Sequence, residues 1–166
     1  PHHAPTKDVP NPLQCGASLD PLAPWSPLEM PSPRRKPRAL PKTANVLLLG
    51  TGGREHALAW KLRQSPRLGE LWVEQGANAG LQSLGRVCPE EAGAVLGENT
   101  RFRLKRFCVK EKIDLVVIGP EAHLAAGHAD LLSTDQTVVF GPNAQAAQLE
   151  ADKAFAKQLM RSAAVP

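Results

Sequence analysis

The 166-residue sequence predicts an α/β fold: a doubly wound, Rossmann-like parallel sheet that follows a disordered, proline-rich leader. Short apolar runs that end in glycine alternate with helical patterns, which is typical of right-handed β-α-β units. In residues 1–43 proline recurs every few positions, which removes amide donors and disfavours both helix and sheet. We therefore expect a disordered leader at 1–43, a Rossmann-like domain at 44–150 and the start of a further domain at 151–166.

The first strand and helix of the domain are predicted from one continuous segment. The apolar run at 46–49 ends in glycine, as expected for a parallel strand buried on both faces. A helix follows the turn Thr51-Gly52-Gly53 and ends at Ser65-Pro66. Its more apolar side is predicted to carry Ala57, Leu58, Trp60 and Leu62.

Three further strands are predicted at 71–73, 113–118 and 137–140, with a loop at 75–80 and no assigned element at 88–99. A helix is expected over 101–112, with Thr100 as its N-cap. Its predicted apolar positions are Phe102, Leu104, Phe107 and Val109. A short helix is expected at 122–132, and helical patterns continue to Ser162 with a break near Asp152.

Composition excludes several function classes. Much of the net charge of +4 comes from the basic run at 34–38 in the leader, and the chain has no tyrosine, so a base-stacking surface for nucleic acid is not expected. Three widely spaced cysteines, at positions 15, 88 and 108, match neither a zinc motif nor a disulfide framework. No apolar stretch is long enough to span a membrane. We expect a cytoplasmic protein with no metal site in this chain.

The candidate site lies in the loops after the strands, because ligands of doubly wound sheets bind beyond the carboxyl ends of the strands. The loop Gly50-Thr51-Gly52-Gly53 opens a helix, so its backbone amides can face an anion. A dinucleotide is one possible ligand, with Glu74 at the position of a ribose-binding acid about 20 residues on. However, Glu55 stands where the dinucleotide fingerprint has its third glycine.

Four sequence blocks carry a resemblance to a known family. They are VLLLGTGGREHALAWKL, the loop at 76–80, KEKIDLVVIGPEAHLAAG and FGPNAQAAQLEADKAFAKQLM. In this order and spacing they resemble the N-terminal domain of phosphoribosylamine–glycine ligases, which are ATP-grasp enzymes. Together the blocks cover almost everything from 44 to 166. Three departures lie on the ligand-facing edge: Glu74-Gln75 stands in place of Ala-Pro, Ala77 is inserted, and His123 replaces a proline.

The resemblance implies a reaction in which glycine is activated by ATP as an acyl phosphate and then joined to 5-phosphoribosylamine. The N-terminal domain is implied to bind 5-phosphoribosylamine, and the last segment to begin the ATP-binding part. The implied substrate-binding residues are Gly52, Gly53, Arg54, Glu55, Asn78 and Glu121, and the implied nucleotide-binding residue is Lys153. Each of them also has a purely structural interpretation, as a residue of a helix end, a loop or a solvated surface.

The resemblance implies that ATP and Mg²⁺ (or Mn²⁺) serve the full-length enzyme, a monomer, and that this chain holds neither. We expect the chain, which ends at Pro166 before the ATP site, to bind the phosphoribosyl substrate weakly without turnover and to contain no catalytic residue. Two alternatives stay open. One is an NAD(P)-binding Rossmann domain, and the other is a non-catalytic truncated product whose leader is a docking element.

Overall fold

The computed structural model describes residues 39–89 and 98–165, with backbone alone for 98–101. Its strands are β1 (Ala44–Leu49), β2 (Leu68–Val73), β3 (Arg86–Val87), β4 (Leu115–Ile118) and β5 (Val138–Phe140). Its helices are α1 (Gly53–Arg63), α2 (Ala79–Leu84), α3 (Glu98–Lys110), α4 (Glu121–Ala125), α5 (His128–Leu132), α6 (Ala144–Ala151) and α7 (Lys153–Ser162).

The five strands form one sheet in the order β3-β2-β1-β4-β5, and every pairing is parallel. β1 pairs with β2 on one side and with β4 on the other, so the chain reverses its direction of winding between β1 and β4. The loops after these two strands therefore lie at the topological switch point, where doubly wound sheets bind ligands. The predicted α/β fold is confirmed.

Helices cover both faces of the sheet, because successive β1 side chains point to opposite faces. Leu47 and Leu49 are fully buried in a core that α3, α4, α5 and α6 close. Val46 and Leu48 are buried in a second core, which α1 and α2 close through Ala59 and other residues. The sheet is thus doubly wound, as predicted.

The apolar side predicted for α1 is wrong in part. Leu58 and Trp60 are 38% and 59% exposed, whereas Glu55 and Ala59 are buried and Leu62 is half-buried. Positions 55, 59 and 62 lie on one face of a helix. That face was missed because its first member is a carboxylate, which the structure buries with hydrogen bonds of its own.

The helix predicted at 101–112 begins earlier and also presents a different face. It starts at Glu98, so Thr100 lies inside α3 and is not its N-cap. The negative charge of Glu98 suits a helix N-terminus, which is the positive end of the helix dipole. At the other end, Lys112 has a left-handed φ of +51° and lies beyond the last residue of α3, Lys110. Leu104 and Phe107 are buried as predicted, but Phe102 and Val109 are 70% and 58% exposed, because the inner face continues through the buried Cys108.

Two further elements were predicted incompletely. The helix expected at 122–132 is divided into α4 and α5 by Gly127, whose φ of +81° is left-handed and cannot continue a right-handed helix. The helix α2 and the strand β3 were not predicted, since β3 has two residues and both are exposed. The break near Asp152 is confirmed: Asp152 caps α7 by accepting hydrogen bonds from the amides of Ala154 and Phe155.

Residues 1–38, which hold most of the predicted leader, the basic run and Cys15, lie outside the described residues. At 39–43 the chain has no regular secondary structure, and the Pro41 carbonyl accepts a hydrogen bond from Arg67. Cys88 and Cys108 are buried and unpaired in the larger core. Across the described ranges, no helix combines the length and apolar character needed to cross a membrane.

Candidate functional site

The loop after β1 passes over a buried carboxylate. Gly50, directly after β1, has φ +116°, and a Cβ there would lie 2.6 Å from Glu55 Cγ and 2.8 Å from Pro120 Cδ. Glycine is therefore required at this position both by conformation and by space. The carboxyl ends of β1 and β4 thus meet around one side chain, that of Glu55.

Glu55 is 2% exposed, and both of its oxygens accept hydrogen bonds, one from the N-cap residue of α1 and one from the first turn of the helix. Oε2 accepts from the Gly52 amide at 2.9 Å, and Oε1 accepts from Arg54 Nε at 2.8 Å. This is the acidic half of a capping box, in which the third helical residue reaches back to the N-cap amide. A Cβ on Gly119 would overlap Glu55 Oε1. Glu55 therefore organises the loop from beneath, and its carboxylate faces the protein rather than solvent.

Arg54 is the cation of this edge of the sheet. Its side chain is 54% exposed, and its Nη2 lies 3.8 Å from Glu121 Oε2 at the start of α4. The hydrogen bond that Arg54 donates to Glu55 raises the pKa of Arg54, and the negative charges of Glu55, Glu121 and Glu150 act in the same direction. The guanidinium is thus held by one buried acid, Glu55, lies near the exposed Glu121 and also feels the charge of the exposed Glu150.

The start of α1 supplies backbone donors beside Arg54. The first amides of a helix have no intrahelical acceptor and lie at the positive end of its dipole. In α1 these amides belong to Gly53, Arg54 and Glu55. A Cβ on Gly53 would meet nothing within 4 Å, so open space lies over this turn. The Gly52 amide, in contrast, is already used by Glu55.

Asn78 joins the second loop to the first. Its side-chain oxygen accepts from the Leu81 amide at 2.9 Å and so caps α2, while its nitrogen donates to the carbonyls of Thr51 (3.0 Å) and Gly52 (3.4 Å). Both ends of its amide are therefore engaged within the protein. The structure brings Asn78 to the predicted edge, where it fixes the loop that carries the free amides.

Glu74 and His123, two departures from the family pattern, contact each other. Glu74 is 6% exposed, and its Oε2 accepts a hydrogen bond from the Gly50 amide. His123 Nε2 lies 3.3 Å from the same oxygen. The structure therefore directs the Glu74 carboxylate inward, behind the glycine loop.

These positions disfavour the dinucleotide hypothesis. A ribose-binding acid must face the ligand with its carboxylate free, but Glu74 is buried and bonded to Gly50. The third glycine of the fingerprint allows the helix to pack closely on the strand, and here Glu55 fills that space. Both features are side-chain contacts that sequence spacing does not reveal.

Lys153 is not joined to the residues of this site by any hydrogen bond or ion pair in the described structure. It is exposed in the first turn of α7, and its side chain makes no hydrogen bond or ion pair with any residue that the structure describes. Within the same residues, no three His, Cys, Asp or Glu side chains are grouped so that they could hold a metal ion. The nucleotide-binding role of Lys153 therefore stays a prediction.

The fold and the site define a class: a doubly wound α/β domain with a glycine-rich loop, the unbonded first amides of α1 and an adjacent arginine at the switch point of its sheet. The family model of the phosphoribosylglycinamide synthetase N domain matches residues 44–150. Since this is more than half of the chain, the protein belongs to that family, and the resemblance read from the sequence is confirmed.

Named relatives agree with the family. The phosphoribosylamine–glycine ligase of Rhizobium meliloti is 47% identical over 122 residues, which are 73% of this chain and 27% of the relative. The trifunctional purine biosynthetic proteins adenosine-3 of Gallus gallus and Homo sapiens are 43% and 42% identical over 121 and 124 residues. Those matches span 73% and 74% of this chain and 12% of each relative. The chain therefore corresponds to about a quarter or less of the proteins that it resembles.

Proposed function

We propose that this chain is the part of a phosphoribosylamine–glycine ligase that binds 5-phosphoribosylamine, the amine that is joined to glycine in purine biosynthesis. Family membership and the names of the relatives support the reaction. The single structural observation that carries the assignment is the group formed by Arg54, the free amides of α1 and Glu121 at the switch point. ATP, glycine and the metal ion belong, in this proposal, to the remainder of a cytoplasmic, monomeric enzyme.

The phosphate of the substrate is assigned to the Gly53 and Arg54 amides and to the Arg54 guanidinium. The helix dipole and the amides favour an anion there, and arginine binds phosphate through two parallel donors. Glu55 fixes Nε of Arg54, so the two terminal nitrogens are left for the ligand, one of which, Nη2, lies 3.8 Å from Glu121. Because Gly53 has open space above it, a phosphate oxygen can approach the backbone without displacing a side chain.

The amine and sugar hydroxyls are assigned to Glu121, which is 53% exposed next to Arg54. A substrate with both a phosphate and an amine suits an edge on which one arginine faces several carboxylates, since each charge then has a partner. Gly52 and Asn78 contribute indirectly by shaping the loop, as does Glu55. No residue of the described chain is assigned a catalytic role, so we expect no ligation of glycine by this chain alone.

The proposal is tested with ribose 5-phosphate, a stable substitute for the substrate, titrated into the ¹⁵N-labelled chain. We expect the amide signals of residues 50–55 to shift with saturation. Arg54→Gln should weaken binding about 10- to 100-fold, because a charge-assisted hydrogen bond contributes about 1.5–3 kcal/mol. Arg63→Gln is the matched control, since Arg63 lies in the last turn of the same helix. Equal loss in both variants would show that only diffuse charge attracts the ligand.

A further inference from the structure

A buried acid and a buried imidazole meet directly behind the anion-binding loop. Glu74 follows β2 and His123 lies in α4, and the two side chains are only 8% and 9% exposed. One carboxylate oxygen, Oε2 of Glu74, contacts both His123 Nε2 and the Gly50 amide. This oxygen therefore connects three segments of the carboxyl edge: the ends of β1 and β2 and the helix after β4.

The contacts of the Glu74 carboxylate fix the position of Gly50. On one side Gly50 packs against Glu55 and Pro120, so closely that no Cβ fits. On the other side its amide is held by Glu74. With its φ of +116°, Gly50 turns the chain out of β1 into the short loop that leads to the free amides of Gly53 and Arg54 at the start of α1. Holding Gly50 therefore orients the donors that the proposed function assigns to phosphate.

The polar character of the pair is not explained by core packing. A buried carboxylate is costly unless it is hydrogen-bonded and paired. Within the described residues, His123 Nδ1 is buried without a hydrogen-bond partner, so Nε2 makes the ring's polar contact, with Glu74. The ring also packs edge-on against His128, at 5.0 Å between centroids. An apolar side chain would fill the same space without this unbonded nitrogen, but it would not hold the carboxylate.

We propose that Glu74 and His123 are positioning residues for the anion-binding loop: Glu74 holds the Gly50 amide, and His123 holds Glu74. The proposal rests on the proposed function and extends it. Neither residue needs to touch the ligand. Their loss acts by letting the loop sample conformations in which the free amides no longer converge, which lowers affinity by reducing the population of the binding-competent state.

The test uses the complete 166-residue chain, ¹⁵N-labelled, with ribose 5-phosphate as the ligand. Glu74→Ala and His123→Leu remove the contact, whereas Glu74→Gln and His123→Gln retain an acceptor and a donor, respectively. Thr137→Val is the matched control, because Thr137 is also buried and its hydroxyl donates to the Ile113 carbonyl. This hydrogen bond lies at the amino-terminal ends of β4 and β5, away from the candidate site. Affinity, the Gly50 amide proton shift and the hydrogen exchange of residues 50–53 are measured for each variant.

We expect Glu74→Ala to weaken binding about fivefold, which corresponds to about 1 kcal/mol, and to move the Gly50 proton upfield with faster exchange. His123→Leu should show a smaller loss in the same direction, and the double variant should bind no more weakly than Glu74→Ala. The two conservative variants should bind within about twofold of the unchanged protein. If Glu74→Ala does not fold, His123→Leu provides the comparison with Thr137→Val.

Three outcomes overturn the positioning role. The first is that Glu74→Ala moves the Gly50 signal but leaves the affinity unchanged, and the second is that Thr137→Val weakens binding equally. The third is that Glu74→Gln and His123→Gln both bind as weakly as Glu74→Ala and His123→Leu. A different result refutes the proposed function, namely no response of the unchanged protein to ribose 5-phosphate. In that case the hydrogen exchange of residues 50–53 still tests whether Glu74 and His123 position the loop. If the exchange rates in Glu74→Ala equal those of the unchanged protein, Glu74 does not hold the loop.

Discussion

Replacing Gly119 by alanine tests whether buried Glu55 organises the switch point. A Cβ at position 119 would overlap Glu55 Oε1 and would lie 2.8 Å from its Cδ and 3.1 Å from its Cγ. Favourable carbon–carbon contacts lie at about 3.5–4.0 Å, so these distances are repulsive. In the Gly119→Ala variant the Glu55 carboxylate therefore has to leave its position under the loop.

The magnitude follows from the bonds that the carboxylate loses. The hydrogen bond from the Gly52 amide is charge-assisted and contributes about 1.5–3 kcal/mol. The bond from Arg54 adds at most about 1 kcal/mol, because the arginine is 54% exposed and screened by water. Alanine also reduces the conformational entropy of the unfolded chain relative to glycine, which raises the free energy of unfolding by about 0.4–1 kcal/mol. We expect the free energy of unfolding of Gly119→Ala to fall by about 2 kcal/mol.

The assay is urea denaturation followed by circular dichroism, for Gly119→Ala, Glu55→Ala and the double variant. Because both single changes remove the same hydrogen bonds, the double variant should be less stable than Glu55→Ala by no more than about 0.5 kcal/mol. Gly53→Ala is the control, since its Cβ meets nothing within 4 Å and should leave stability unchanged or slightly higher. Additive losses in the double variant, or an unaltered Gly119→Ala, would refute the reasoning.

Three further predictions concern the rest of the fold. In a Cys15→Ser background, Cys88 and Cys108 should resist alkylation until the chain unfolds, because burial raises the pKa of each thiol to about 12. Since the thiols of the unfolded chain ionise from about pH 8.5, the free energy of unfolding should fall as the pH rises from about 8.5 towards 12. Rapid alkylation of the folded chain would contradict the burial of the two thiols. Asn45→Ala should lower the free energy of unfolding by about 1–3 kcal/mol, measured in urea, because the Asn45 side chain bonds backbone groups of two separate segments; an unchanged midpoint contradicts it. Asp152→Ala should cost about 1 kcal/mol and speed amide exchange in α7 alone, and equal acceleration in β1 would contradict a capping role.

The elements that sequence predicted well are those with an unambiguous apolar pattern. β1 is aliphatic and buried from Val46 to Leu49 and β4 from Val116 to Ile118, and each strand is followed by glycine. β3 was missed because Arg86 and Val87 are both exposed, so no pattern marks them. Their place at the sheet edge depends on pairing with β2 and on the Arg86 guanidinium, which lies 4.4 Å from the centre of the Trp72 ring. Both contacts are tertiary.

The candidate site shows the same division. Sequence placed Arg54, Glu121 and the glycine loop at one edge, because parallel strands bring their following loops together. It did not predict that Glu55 is buried, since an acid in the first turn of a helix is usually exposed. Under the dinucleotide alternative it offered Glu74 as a ribose-binding acid, whereas the structure pairs Glu74 with His123.

By itself, the sequence determined the parallel α/β architecture, the loops that line its carboxyl edge and the family to which the chain belongs. These follow from local periodicity, glycine positions and ordered motifs, which are properties of neighbouring residues. Only the tertiary structure decided which acids point inward and which remain available. The direction of a polar side chain depends on hydrogen-bond partners from distant segments: Glu74 is turned inward by the Gly50 amide and by His123, and those three meet only when β1, β2 and β4 align.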